Sequence, residues 1–277
     1  MSRNSDRLGL TSQPETGETP PQMFNPLSFT APTEFVTLPS KGIGYPKGHS
    51  LHGKDSIEIR YMTAKDEDVL SNQSLIKKGV ALERLLENII VEADIDPLSL
   101  LVVDRNAILI QARGTAYGFD YEARVKCPKC DTSNEMMFDL RNPKVEGGIK
   151  ENQSIVTVSE EGLFSTQLPF SKFNIKFRLA NGVEESKIAQ ILMDGREEFS
   201  LSEQYKEMIL SIEGHSDKEI INQFVDNMPV ADSVHFKMCL KHCTPSIEIT
   251  EKLTCKNCSH EQEVQVPFGT DFFWPNT

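Results

Sequence analysis

Apolar positions along this chain recur with two periods, and the changes between them mark its elements. Residues 34–38 read as a short extended segment, and residues 39–46, with two prolines and two glycines, as a turn-rich loop. Strict alternation in Ser56-Ile57-Glu58-Ile59-Arg60-Tyr61 predicts a strand. Thr63 followed by Asp66 has the form of a capping box, which predicts a helix start. Leu82, Leu85, Leu86, Ile89 and Ile90 fall at i, i+3, i+4, i+7, i+8, the signature of an amphipathic helix. Asp104 is placed at the N-cap of the next helix, which turns Ile108, Leu109 and Ala112 inward. Short strand-like runs follow at 121–125 and 135–140.

Asn142-Pro143 and Gly147-Gly148 then predict a linker, after which the pattern starts again. Strands are expected at 155–158 and 163–168, and Phe173, Ile175, Phe177 and Leu179 alternate without a break. Beyond Asn181-Gly182 the period becomes helical. Tyr205, Met208, Ile209 and Ile212 make one helical stripe ended by Gly214. Ser216 and Glu219 suggest a second capping box, opening a helix with Ile220, Ile221, Phe224 and Val225. A last helix is expected over 230–242, stopped by Pro245, and strand-like alternation returns in the tail. Both parts run strands, helices, then a strand pair, so the order predicts an α+β fold with a possible two-part pseudo-repeat. The expected organisation is a disordered arm over 1–30, an α+β domain over 31–145, and a strand-then-helix insert with its tail over 150–277. The arm follows from Ser, Thr, Pro and Gly content without periodicity, which buries too little apolar surface to offset ordering entropy.

Charge and cysteine content narrow the function classes. A formal net charge of −12, from 41 acidic and 29 basic residues, repels phosphate backbones over most of the surface. No apolar run reaches the ~20 residues of a membrane-spanning helix, and the first residues do not lead into an apolar signal segment. These features make a reducing compartment, the host cytoplasm in the reading below, the expected setting. Four of the six cysteines form two C-x-x-C pairs, Cys127-Pro128-Lys129-Cys130 and Cys255-Lys256-Asn257-Cys258, each between strand-like runs. A tight turn lets two sulfurs of such a pair grip one ion, and four thiolates suit a closed, structural Zn2+ site. Lys126, Lys129, Lys252 and Lys256 stand beside the sulfurs and would ease the net charge of four thiolates on one divalent ion. The 124 residues between the pairs exceed the ~15–20 of a linear ribbon. The site must therefore close over an inserted domain, and closure entropy grows only logarithmically with loop length. Redox chemistry expects a single C-x-x-C opening a helix, and haem attachment needs a histidine directly after the second cysteine, where Ser259 stands.

Cys239 and Cys243, with His235 and His242 nearby, raise a second metal site. Phe236, Cys239, Leu240 and Cys243 also form an i, i+3, i+4, i+7 stripe, and packing is the favoured reading. The glycines of residues 42–48 do not match a phosphate-binding fingerprint, and Asp66-Glu67-Asp68 suits the first turn of a helix better than a metal. His49 and His52 have no partner visible in the sequence. No nucleotide-binding, zinc-protease or serine-hydrolase motif occurs, so no catalytic residue is assigned. Phe268, Phe272, Phe273 and Trp274 place four aromatics in seven residues near the chain end. They read as a plug folded back on the chain, or as an anchor for a partner protein.

Several ordered blocks resemble one family. They are Phe35-Val36-Thr37-Leu38-Pro39-Ser40-Lys41-Gly42, Tyr45-Pro46, Ile57-Glu58-Ile59-Arg60, residues 62–68, residues 74–79, Asp104-Arg105-Asn106-Ala107-Ile108, Tyr117-Gly118, Cys127-Pro128 with Cys130, and residues 266–275. Together they are similar to the T-even-type bacteriophage baseplate hub protein family over about residues 30–277. The resemblance implies a non-enzymatic tail protein, either a subunit of the central baseplate hub in the virion or a factor assembling it around the tape-measure protein. Its partners would be other phage tail and baseplate proteins, with no small-molecule substrate. A zinc-ribbon nucleic-acid-binding module is the alternative, motivated by the lysines at both knuckles and opposed by total charge.

Overall fold

Strand β1 (Thr33–Thr37) pairs antiparallel with β2 (Ser56–Arg60), the loop between them folding back on itself. The computed structural model describes residues 30–148, 155–193, 200–266 and 272–273. The arm expected over 1–30 lies outside the described residues except for Thr30. In the β1–β2 loop three successive backbone donors turn inward: Lys41 N donates to Leu38 O, Gly42 N to Ser40 Oγ and Ile43 N to Ser40 O. Gly42 sits at φ +71°, and a Cβ on it would lie 2.5 Å from backbone atoms of Leu51, Gly53 and Lys54. Only glycine fits that close approach.

Helix α1 (Ala64–Ser71) starts where the sequence predicts. Asp66 accepts the Thr63 backbone N–H at 2.8 Å, and its carboxylate takes two bonds from Arg60, at 2.7 and 2.9 Å, and one from Asn88. Helices α2 (Gln73–Lys77) and α3 (Ala81–Ile89) follow, and α3 buries Leu85, Leu86 and Ile89.

Helix α4 (Val102–Tyr117) begins earlier than expected. Its N-cap is Leu101, so Asp104 lies inside the first turn and does not cap it. The side chain is recruited across the chain: its carboxylate accepts Ser40 N at 3.0 Å, Ser40 Oγ at 2.6 Å and Tyr45 Oη at 2.8 Å. Tyr45 Oη in turn accepts Leu101 N. Burial pushes the Asp104 carboxyl above the ordinary carboxylate range despite these donors. His49 stacks on Tyr45 with ring centroids 4.6 Å apart, and His52 Nδ1 lies 2.7 Å from Tyr45 O. Both histidines thus serve this loop.

Strands β3 (Asp120–Lys126) and β4 (Ser133–Asp139) form an antiparallel hairpin whose inward phase carries Tyr121, Ala123, Asn134, Met136 and Phe138. The expected linker contains a strand. β5 (Lys144–Glu146) pairs with β10 (Ser246–Glu248), reached only after the whole insert. Between them run β6 (Thr157–Val158), β7 (Phe164–Gln167), β8 (Asn174–Phe177), α5 (Gly182–Met193), α6 (Leu201–Met208), β9 (Ile209–Ile212), α7 (Lys218–Asp226) and α8 (Val230–Cys243). The chain closes with the hairpin β11 (Thr250–Thr254) and β12 (Glu261–Gln265).

The stripe read from Tyr205 to Ile212 as one helix divides at Met208. α6 ends there, and Ile209–Ile212 extends as β9 along β8, completing a four-stranded sheet in the order β6-β7-β8-β9. Ladder bonds to β8 and burial of Ile209 and Ile212 outweigh the helical period. The cap of α7 is Asp217, one residue beyond the predicted Ser216, accepting Glu219 N and Ile220 N. A capping box does occur at Ser200 and Glu203, where the sequence pattern was not singled out.

The fold is α+β, with the helices packed on small antiparallel sheets. Residues 31–277 form one compact unit, and one buried core continues through both sides of the 142–148 segment. Both parts open with strands and end in a cysteine knuckle, but the second inserts β9 among its helices, and its sheet has four strands where β1–β2 has two.

Candidate metal centre

Both C-x-x-C turns adopt the same backbone. In the first, Asp131 N donates to Cys127 O at 2.9 Å and Cys127 N to Thr132 O at 3.0 Å. In the second, Ser259 N donates to Cys255 O at 2.9 Å and Cys255 N to His260 O at 2.9 Å. The fifth residue of each turn is left-handed, Asp131 at φ 54° and Ser259 at φ 53°. Such a turn points two cysteine side chains to one side, and flanking hairpins hold each turn rigid.

The neck strands β5 and β10 pair inside the 124 residues that separate the knuckles and draw the two sides of that stretch together, which meets the closure requirement set by the sequence. The four sulfurs then lie within 4.8 Å of one another. Cys127 Sγ is 3.6 Å from Cys258 Sγ, and Cys130 Sγ is 3.6 Å from Cys255 Sγ. All four cysteines are free, and these separations exceed the ~2.05 Å of a disulfide. A tetrahedron of metal–sulfur bonds near 2.3 Å requires sulfur separations of about 3.8 Å, so the cluster is of the right size for one ion. Cys127 and Cys255 are buried, while Cys130 and Cys258 are partly covered.

The electrostatics of the cluster ask for a cation. Hydrogen bonds with the Thr132 side chain and backbone hold the Cys130 thiol down at about 6. Backbone N–H groups of Cys258 and Asn257 lower Cys255 as well. Cys258 receives a backbone hydrogen bond from His260, yet burial and the neighbouring sulfurs push it up to about 12. Four thiolates this close cannot all form without positive charge among them. Lys126, Lys129, Lys252 and Lys256 are exposed around the turns.

Asn134 joins the knuckles and was not singled out in the sequence. Its Nδ2 donates to Thr132 O at 2.8 Å and lies 3.8 Å from Cys255 Sγ, and its Oδ1 accepts Lys256 N at 3.0 Å. The available signal was an asparagine on the inward phase of a strand, in line with Met136 and Phe138. Thr132, two residues after Cys130, was missed likewise.

The remaining candidates lie elsewhere. Cys239 and Cys243 are buried on α8, and burial raises both thiols, Cys243 to about 12. His235 Nε2 is 3.5 Å from Cys239 Sγ and 3.2 Å from Thr166 Oγ1, a packed polar contact. Among the described residues, these cysteines join no metal-holding group of three or more ligands. Phe272 and Phe273 are buried in the chain's own core, with Phe272 edge-on to Tyr121 at 5.1 Å. The buried Arg113 donates from Nε to Phe272 O at 2.9 Å and stacks over the Tyr121 and Phe272 rings. Phe268 and Trp274 lie outside the described residues.

A family model described as T4 bacteriophage base plate protein matches residues 33–274, most of the chain. The chain belongs to that base plate protein family. No curated protein and no solved structure gives a significant match. The matched span includes both cysteine knuckles, the Ser40–Tyr45–Asp104 network and the neck. The base plate protein therefore carries four cysteines, from two distant stretches of its chain, at one point that can hold a metal ion. No helix among its described residues is long and apolar enough to cross a membrane.

Proposed function

We propose that this base plate protein serves the central hub, as a non-enzymatic structural subunit or assembly factor whose fold is clasped by a structural Zn2+ on Cys127, Cys130, Cys255 and Cys258. The base plate family match across residues 33–274 carries the reading. The hub assignment rests on the sequence blocks already described. Zinc is favoured over harder cations because all four donors are sulfur, and over a catalytic role because four protein ligands leave no open position. The ion supplies cross-linking alone: it ties the β3–β4 hairpin to the β11–β12 hairpin and so fixes the neck of the insert. Partners would be other tail proteins, including the tape-measure protein. The place of action would be the host cytoplasm during assembly and, for a subunit, the virion tail.

The test is quantitative mass spectrometry of purified virions beside infected-cell lysate and isolated baseplate intermediates. Stoichiometric presence in virions identifies a subunit, and presence only on intermediates identifies an assembly factor. Absence from both would sink the hub reading. The exposed lysines at the knuckles favour a second reading, a nucleic-acid module, against which the net charge of −12 weighs. A salt-dependent affinity for DNA or RNA would establish it.

A further inference from the structure

Helix α8 is apolar on two opposite faces. Its inner face buries Phe236, Cys239 and Cys243, with Phe236 packed edge-on to Phe177 and Tyr205 at 5.1 and 4.7 Å. Its outer face carries Val230, Val234 and Met238, which are 78%, 53% and 53% exposed. These three stand at i, i+4 and i+8, so they form one continuous ridge about 12 Å long at 1.5 Å per residue. A surface helix ordinarily turns polar residues outward, and an apolar outer stripe marks a helix that is covered. Phe170, 71% exposed, is held at the other side of the first turn, where Phe170 N and Ser171 N both donate to the buried Asp232, and it is not part of this ridge.

Charge selects the occupant. Lys237 and Lys241 lie on the same outer side, both exposed, and neither has an ion-pair partner among the described residues. Unpaired cations flanking an apolar ridge, on a chain of net charge −12, form a local basic frame on an acidic protein. We propose that this face docks a helix of another protein, one whose apolar stripe is flanked by Glu or Asp. Ridges along an i±4 row pack into the grooves of a second helix, and the flanking lysines would meet its carboxylates. A second copy of this chain fits poorly. A two-fold contact would bring Lys237 and Lys241 toward their own equivalents and add two acidic chains together. This inference uses a surface apart from the cysteines and stands whether or not metal is bound there.

The test uses two synthetic amphipathic helical peptides, identical in their leucine stripe and flanked by glutamate in one and lysine in the other. Binding to the full chain is read by fluorescence anisotropy and by the methyl resonance of Met238. The glutamate peptide should shift Met238 and bind at least tenfold tighter than the lysine peptide, with affinity falling as salt rises. Val234→Asp or Met238→Asp should weaken it at least tenfold with the thermal midpoint unchanged, and the pair Lys237→Glu and Lys241→Glu should invert the preference. Equal binding of both peptides, binding insensitive to Val234→Asp and Met238→Asp, or no binding would overturn the proposal. A dimer of the free protein that Val234→Asp dissolves would assign the face to a second copy and overturn it too.

Discussion

Asn134 and Lys256 are 122 residues apart in sequence, and the side-chain oxygen of the first accepts the backbone N–H of the second at 3.0 Å. The same amide donates within the first knuckle, to Thr132 O. One buried side chain thus holds two cysteine turns in fixed relation, independently of any ion. Asn134→Ala removes the acceptor of the Lys256 N–H and the donor to Thr132 O, and an ordinary hydrogen bond contributes about 0.5–1.5 kcal/mol net. We expect a lower unfolding midpoint and faster release of bound metal to a chromogenic chelator. Unchanged release would show that the amide is not part of the clasp.

One zinc per chain is expected on elemental analysis of reduced protein purified without chelator. Metal binding and folding are coupled at such sites, so Cys255→Ser should lower stability strongly, and chelator should lower the wild type toward the variant. A wild-type chain that is metal-free and equally stable with chelator would remove the clasp.

Arg60 and Asp66 give the fold a defined acid sensitivity. Burial opposes the Asp66 charge, but the hydrogen bonds from Arg60 and Thr63, with the Arg60 charge, hold the native carboxyl below its ordinary 3.8. A depressed native value means that the stabilisation is present above 3.8 and is lost as pH falls below it, through the native value. Asp66→Asn should cost about 2 kcal/mol near neutral pH, in the range for hydrogen bonds to charged groups. The gap between wild type and variant in urea unfolding should close on acidification below that value. A constant gap across the range would contradict the ionic role.

Phe272 closes the core against Tyr121 and Arg113. Phe272→Ala should cost about 3–5 kcal/mol, as for other buried aromatic truncations, read as a drop in thermal midpoint. A loss below 1 kcal/mol, with an unchanged midpoint, would return this side chain to the role of a partner anchor.

Where an element depends on near neighbours, the sequence was readable. The Thr63–Asp66 start of α1, the α3 stripe and the strand pairs beside each C-x-x-C all follow from spacing within a few residues. The cysteines could also be grouped, because thiolate pairs in tight turns carry their chemistry locally. Asp104 shows the limit. Beside an apolar helical run it reads as a cap, yet Ser40 and Tyr45, some sixty residues earlier, claim its oxygens.

By itself, then, the sequence determined the helices and strands with strong periods, the α+β class, and the two cysteine turns. Tertiary structure decided that Ile209–Ile212 is a strand, that residues 144–146 form a neck with residues 246–248, and that Asn134 spans both knuckles. Periodicity and turn chemistry are set by residues a few positions apart. Ladder partners and the satisfaction of buried polar groups are set by residues a hundred positions away, and appear only once the chain has closed on itself.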